Sequence, residues 1–479
     1  MKNHLIQNTK NNSMGKRKLV LVSSIFIVTI LFSSCESFLS QTSTNDVANS
    51  DMFTDAASLE SARIGMYNTL QNQYYYGGFY PLMVEAYSDN GATGGYDNLD
   101  LDELGYKAAT PNNIYIENCW IAIYNTIYTA NQIITNAEGI NDATLTDEVR
   151  NDIIGEALTI RAMAHFDLLR MFGEHWNNAS VYGIPVVTTI LSPEDVVGRS
   201  TVSETYAAII NDLLTAETML SNDDLRLDPP SFKGAQFITK TACQALLARV
   251  YQYQFDYTNA AIYVQKVITE GFAHLLSSSE FSAIYTTKLS SEAIFELVFN
   301  GQDKSQFNAL TYARPDALRS EVSFLASAEL NTFYDDRTDD LRAGYVDYIN
   351  NDLSIEPDGR TQKYRGEVFQ DNSAYVLRYS EMLLILAEAS GYPEGVTYLN
   401  DLRNARGMSD ASPASPEEFA QDLIDERRSE LNFEGHRYFD LAHFGLVTDI
   451  LGDGVLPCFP VPGREINASG GVIEQYPGY

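Results

Sequence analysis

Residues 423–445, LIDERRSELNFEGHRYFDLAHFG, place ten ionisable side chains in twenty-three positions. Such a density belongs either to a catalytic cluster or to a scaffold held by ion pairs, and the pattern around it decides between them. Ser415 and Pro416 open a helix as N-cap and first helical residue, and Glu418 completes a capping box. Phe419, Leu423 and Leu431 share a face with Arg427, while Asp425 and Arg428 are spaced to pair along the helix. Gly435 stops the helix with a left-handed cap. An acid and a base need environments that push their pKa values apart around a cleft. An amphipathic helix with opposite charges in neighbouring rows offers instead the arginine–carboxylate contacts that lock helices together. The stretch predicts a framework and no catalytic residue.

Helical periodicity extends outward from it. It predicts helices over Ala57–Gln71, Ile116–Ala137, Thr146–Phe172, Val202–Leu220, Lys240–Gln254, Asn259–Glu270, Tyr375–Ser390, Gly395–Ala405 and Pro416–Asn432. Within 239–271, Ala242, Ala245 and Ala248 lie on one helix, Asp256-Tyr257 forms a turn, and Ala260 and Ala261 open a second helix. Small residues let two helices approach closely, so this reads as a hairpin of tetratricopeptide type, and 379–407 repeats the plan. The fold class predicted is mostly α, a tetratricopeptide-like helical-hairpin superstructure with long irregular loops and a few short strands. Strands are expected at Val181–Thr189, Ala293–Asn300 and Leu456–Val461. The irregular stretches are Gln71–Pro111, Gly301–Glu321 and Phe333–Asp371, and long loops on a rigid scaffold commonly carry function.

The 479 residues hold 32 Lys and Arg against 64 Asp and Glu, a formal charge of −32 that repels phosphate backbones and excludes nucleic acid as a natural partner. The first 34 residues hold five basic residues and no acid. Lys16-Arg17-Lys18 precedes the apolar run Leu19–Phe32, which suits a signal-peptide core and is short for a membrane span. Translation can begin at Met1 or at Met14, just before this basic cluster. The run ends in Leu31-Phe32-Ser33-Ser34-Cys35 and resembles a bacterial lipobox, with Cys35 acylated at the mature N-terminus. Residues 1–34 are thus read as a signal peptide, 35–50 as a polar tether, and 51–479 as a single binding domain. Cys119, Cys243 and Cys458 have no CxxC spacing and sit in apolar contexts, so they read as buried free thiols.

The stretch IDERRSELNFEGHRYFDLAHFG closely resembles the C-terminal signature of the SusD/RagB family, the outer-membrane nutrient-binding lipoproteins of Bacteroidetes. The resemblance takes in CESFLSQ after the lipobox, IRAMAHFDLLRMFG followed by GIPVV, RYSEMLLILAEA, LNDLRNARG and the terminal PCFPVPGREIN. It departs at Ala442-His443-Phe444, where the family usually has a more basic stretch, and in NASGGVIEQYPGY, which replaces the usual Asn-Pro ending. What the resemblance implies is a tetratricopeptide-like scaffold and a surface lipoprotein without catalysis or cofactor. It would cap a SusC-type TonB-dependent transporter and capture oligosaccharides for import. Peptide as the ligand, or a surface glycoside hydrolase or lyase, are the rival readings.

The matching motifs are scaffold, so ligand contacts must be read from the residues themselves. Sugar rings present C–H patches and a hydroxyl edge, which call for exposed aromatic faces flanked by Asn, Asp, Gln or Arg. The segment NQYYYGGFYPLMVEAYSDNGATGGYDN (72–98) fits, with Tyr74, Tyr75, Tyr76, Phe79, Tyr80 and Tyr96 among glycines that expose them and Asp89-Asn90 in a turn. A second candidate is NGQDKSQFNALTYARPDALR (300–319), with Gln302, Phe307, Asn308, Tyr312 and Arg314. Trp120 lies on an apolar helix stripe and reads as core; Trp176 follows a helix stop in a polar loop and reads as exposed. The six histidines form no metal-ligand spacing, and no metal is expected. The acidic run YDNLDLDELG (96–105) reads as a solvated loop.

Overall fold

The computed structural model describes residues 52–94, 98–192, 194–223, 225, 234–313, 321–347, 359–365 and 371–479. The expected signal peptide, Cys35 and the expected tether lie outside them. From Asp55 to Tyr479 the chain forms one compact unit built on helices. These are α1 (Ala56–Leu70), α2 (Phe79–Ala86), α3 (Leu99–Gly105), α4 (Ile114–Asn136), α5 (Asp147–Phe172), α6 (Val202–Met219), α7 (Lys240–Tyr253), α8 (Tyr257–Glu270), α9 (Ala328–Asp335), α10 (Tyr379–Ser390), α11 (Gly395–Ala405), α12 (Pro416–Leu431) and α13 (Arg437–His443). Side-chain caps fix most of the long starts: Asn113, Thr146, Thr201, Thr239 and Asp256 each accept a backbone N–H of the first turn. Helix packs on helix in series, α4 on α5, α5 on α6, α6 on α7, α7 on α8, α8 on α10, and α10 on α11 and α12. This is the tetratricopeptide-like arrangement that the small-residue hairpins implied.

Three short antiparallel pairs decorate the helices. They join β1 (Gly91–Thr93) to β3 (Phe324–Ala326), β2 (Ala293–Leu297) to β6 (Ala374–Arg378), and β4 (Val346–Asp347) to β5 (Arg360–Thr361). Tyr375–Arg378, expected as the start of a helix, is therefore strand. Its apolar run is buried on β2, and α10 begins only at Tyr379. The expected strands at 181–189 and 456–461 do not form, because isolated backbone bonds (Gly183 N to Ser200 O, Ser200 N to Ile184 O, Phe459 N to Met171 O) and side chains, rather than a ladder, satisfy their backbones. Val187 N–H donates to His165 Nε2, and Asn131 Nδ2 donates to the carbonyls of Val187 and Thr189. The Gln475 amide takes both backbone groups of Val461. The acidic run is also corrected: Asn98 caps α3, and Glu103 accepts from Thr110 and Asn113.

The opening stretch is framework. Phe419, Leu423 and Leu431 of α12 pack into an apolar cluster with Leu383, Leu384, Leu399 and Leu402. Ser415 caps the helix as expected, but Glu418 accepts from Ala414 N rather than Ser415 N, and the helix ends at Leu431, before Gly435. Gly435 is left-handed (φ 84°), and any Cβ there would stand 2.8 Å from Pro81 Cα, so the glycine admits α2. Nor do Asp425 and Arg428 pair: Asp425 accepts from Gln421, while Arg428 reaches Asn90 and Asp89.

The other charges of this helix meet partners from distant segments. Glu430 is ion-paired with Arg378 (2.7 Å), Arg406 (2.9 Å) and Arg342 (3.2 Å). Arg406 also holds Glu292 at 2.8 Å, and Glu434 is held by Arg378 (2.9 Å) and Lys363 (2.8 Å). Arg427 pairs with Asp440 at 2.7 Å. All of these side chains are buried. Burial pushes the Glu430 carboxyl up, but Arg406, Arg378 and Arg342 outweigh it and hold it well below the usual carboxylate range.

Removing one partner of such a network strands buried charge and costs about 3–5 kcal/mol. Glu430→Gln is therefore expected to lower the unfolding free energy by roughly that amount in urea titrations at neutral pH. The folded carboxyl titrates below its ordinary value of 4.5, so its contribution is complete above that pH. It is lost as pH falls from there through the lower folded value, and the variant should show a shallower acid limb.

Candidate functional site

Between α1 and α2 the chain turns sharply through 71–78. Tyr75 N donates to Asn72 O and Tyr76 N to Leu70 O, and a Cβ on Gly77 would stand 2.4 Å from Gln71 O. The glycines of this motif close the turn, where the sequence reading had them expose the tyrosines. The outcome corrects that reading for Tyr75, Tyr76 and Tyr80, which are at most 5% exposed. Their hydroxyls converge on one buried carboxylate, Asp167 of α5. Tyr75 donates at 2.6 Å, Tyr76 at 2.9 Å and Tyr80 at 2.9 Å, and Arg170 Nη2 completes the shell at 2.5 Å. Burial, with Asp167 alongside, pushes the Tyr75 and Tyr76 hydroxyls well up, so they remain donors. The Arg170 guanidinium lies over the rings of Phe166 and Phe439, each 4.7 Å away.

Asp89 and Asn90 are held by ion pairs and hydrogen bonds. Asp89 pairs with Arg437 (2.7 Å) and Arg428 (3.0 Å), and Asn90 bridges Glu85 and Arg428. Of the second candidate loop, Phe307 stacks on Tyr364 (4.3 Å). Asn308 donates to the carbonyls of Tyr364 and Arg365, and Tyr312 lies under Arg360 at 4.4 Å. All three are buried, which corrects their expected exposure. The short helical turn Phe307–Thr311 draws them inward. Gln302 is exposed. Trp176 is half-buried, edge-on to His175 and packed on Leu441, Ala442 and Val447. Trp120 is core, with its ring 4.8 Å from that of Phe172. Tyr96 and Arg314 lie outside the described residues. Cys119, Cys243 and Cys458 are buried free thiols.

What remains of the first loop is Tyr74 and Phe79, both half-exposed, and a third ring joins them. Tyr74 lies 5.3 Å from Phe79, which stacks on Tyr115 at 4.8 Å and 17°. Tyr115 is also half-exposed, and its hydroxyl accepts from Asn98 Nδ2 at 2.9 Å. Phe324 of β3 stands edge-on beneath Phe79. The exposed Asn72 and Gln73 flank the stack in sequence, and Gln306 N donates to Gly77 O, bringing the second loop to its side. The sequence reading missed Tyr115. Its signal was present: the Asn113 cap fixes it in the first turn of α4, one residue off the stripe of Ile116, Trp120, Ile123 and Ile127.

Two family models match the chain. The first, SusD-like and described as starch-binding associating with outer membrane, covers residues 37–252; the second, the SusD family, covers 343–448. A SusD-like protein of Formosa agariphila is 25% identical, across 95% of this chain and 99% of its own length. A SusD superfamily protein from Bacteroides thetaiotaomicron superposes with a TM-score of 0.78 at 23% identity, covering 88% of this chain and 100% of that one. A laminarin binding SusD-like protein does so at 0.74 and 21%, covering 89% and 100%. The chain belongs to the SusD/RagB family.

The two tyrosine groups should separate on mutation. Asp167→Ala strands three buried hydroxyls and the Arg170 charge, and is expected to cost about 3–5 kcal/mol in chemical unfolding. Tyr74→Ala, at a half-exposed ring, should cost about 1 kcal/mol or less.

Proposed function

We propose that this protein binds neutral oligosaccharides or polysaccharides at the cell surface and hands them to a SusC-type TonB-dependent transporter without altering them. The observation that carries the reading is the half-exposed stack Tyr74–Phe79–Tyr115, an apolar surface for the C–H faces of sugar rings with amide side chains beside it. The laminarin-binding protein among its structural relatives supports the glycan class. The formal charge of −32 favours neutral over polyanionic chains. Residues 1–34 are removed on export, Cys35 carries the lipid anchor in the outer membrane, 35–50 form the tether and 51–479 the binding domain.

Affinity electrophoresis through a panel of neutral and acidic polysaccharides tests the binding. At least one neutral polysaccharide should retard the protein. The triple variant Tyr74→Ala, Phe79→Ala, Tyr115→Ala should bind at least about tenfold more weakly, while Tyr75→Phe should bind as the parent does. Retardation by no polysaccharide, or an unchanged triple variant, contradicts the reading, as would release of new reducing ends. Metabolic labelling with palmitate should mark the parent and not Cys35→Ala.

A further inference from the structure

Away from the ring stack, a cavity of about 650 Å³ opens between the β2–β6 pair and the segments 285–288 and 344–345. Tyrosines wall it: Tyr285 lies 4.7 Å from Tyr345 and 5.6 Å from Tyr375. Glu296 of β2 lines it with only 1% of its surface exposed. Its Oε2 accepts from Leu289 N at 3.0 Å, whereas Oε1 makes no hydrogen bond of ordinary geometry among the described residues. Tyr285 Oη, Asn372 Oδ1 and Ser373 Oγ line the same cavity and are also unpartnered among the described residues. Burial raises the Glu296 carboxyl, and the Ser373 hydroxyl facing it works in the opposite direction. Lys288 is spent on Asp371 (2.6 Å) and the Phe299 carbonyl (2.8 Å), so that carboxylate is already neutralised.

Each buried polar atom left without a partner costs about 1–3 kcal/mol, and native folds leave few of them. Four around one cavity mark a place for a partner that none of the described residues supplies. The open atoms are a carboxylate oxygen, an amide oxygen, a phenol and a serine hydroxyl, so the partner must bring several donors. A carboxylate or phosphate would meet Glu296, and Arg365, the second cation on the wall, lies over the Tyr312 ring at 5.7 Å. The tyrosine walls call for an apolar face as well, and the volume falls in the range of small-molecule pockets, about 300–1,000 Å³.

We propose that this cavity is a second saccharide pocket. It takes a neutral, hexose-sized polyhydroxylated ring whose hydroxyls donate to Glu296 Oε1 and Asn372 Oδ1 while its carbon face lies on tyrosine. The pocket is independent of the ring stack, although the two share a partition. Tyr375 stacks on Tyr364 and Tyr364 on Phe307, and the neighbouring Gln306 is bonded to Gly77 O beside the stack. The buried part of 300–312 thus serves as the wall between two sites.

The test is saturation-transfer NMR on the whole protein with the methyl glycosides of glucose, galactose and mannose. Four proteins are compared: the parent, the stack variant Tyr74→Ala, Phe79→Ala, and the pocket variants Asn372→Ala and Glu296→Gln. Asn372 is half-buried and its side-chain oxygen bonds to nothing, so its truncation spares the fold. At least one glycoside is expected to bind the parent and the stack variant alike, and the pocket variants about tenfold more weakly, the loss of one good hydrogen bond. Binding abolished in the stack variant and intact in Asn372→Ala overturns the second pocket and leaves the ring stack standing. Binding of no hexoside to the parent overturns it as well, whatever the polysaccharide panel shows.

Discussion

The carboxylate of Glu430, ringed by Arg342, Arg378 and Arg406, is the contact on which the C-terminal half of the molecule depends. Those arginines come from the turn before β4, from the end of β6 and from the end of α11, so one side chain of α12 ties together segments far apart in the sequence. A buried ion cluster of this kind is weak evidence for added stability, because desolvation offsets much of the attraction. What it fixes is arrangement, since any other register would leave charge unpaired in the core. Arg427–Asp440 and the Asp89 pairs with Arg428 and Arg437 extend the lock to α13 and to the segment that follows α2.

The same device recurs beneath the proposed binding surface. Asp167 collects the hydroxyls of Tyr75, Tyr76 and Tyr80, and so pins the turn between α1 and α2 to α5. With two of three consecutive tyrosines held inside, the turn has little freedom left, and Tyr74 and Phe79 on either side remain at the surface against Tyr115. A carbohydrate site of few contacts gains from such preorganisation, because rings already ordered lose little further freedom on binding.

The helices were legible because caps and apolar spacing are local signals. Ser415, Thr146 and Thr201 mark starts to within a residue, and the alanines of α7 announce close packing. The ion-paired nature of α12 was legible too, but its partners were not. Asp425 with Arg428 was the natural pairing at helix spacing, whereas Glu292 meets Arg406 across 114 residues. The tyrosine-rich loop failed for the same reason. A run of Tyr and Gly looks exposed until a carboxylate 87 to 92 residues away is brought beneath it. Tyr115 was overlooked because it sits in a helix, away from the loop to which it contributes. The Glu296 cavity gives no sequence signal, since one acid in an apolar strand reads as an ordinary edge residue.

The central claim is that the charged signature is frame and that the ligand is met elsewhere, at the aromatic stack. Hydrogen–deuterium exchange of the intact protein, with and without a polysaccharide that retards it, separates the two directly. Amides of 424–443 should be among the slowest to exchange and should not change with ligand, while those of 72–80 and 114–118 gain protection. Protection that maps instead to the charged stretch, leaving the turn and the start of α4 untouched, would contradict the account.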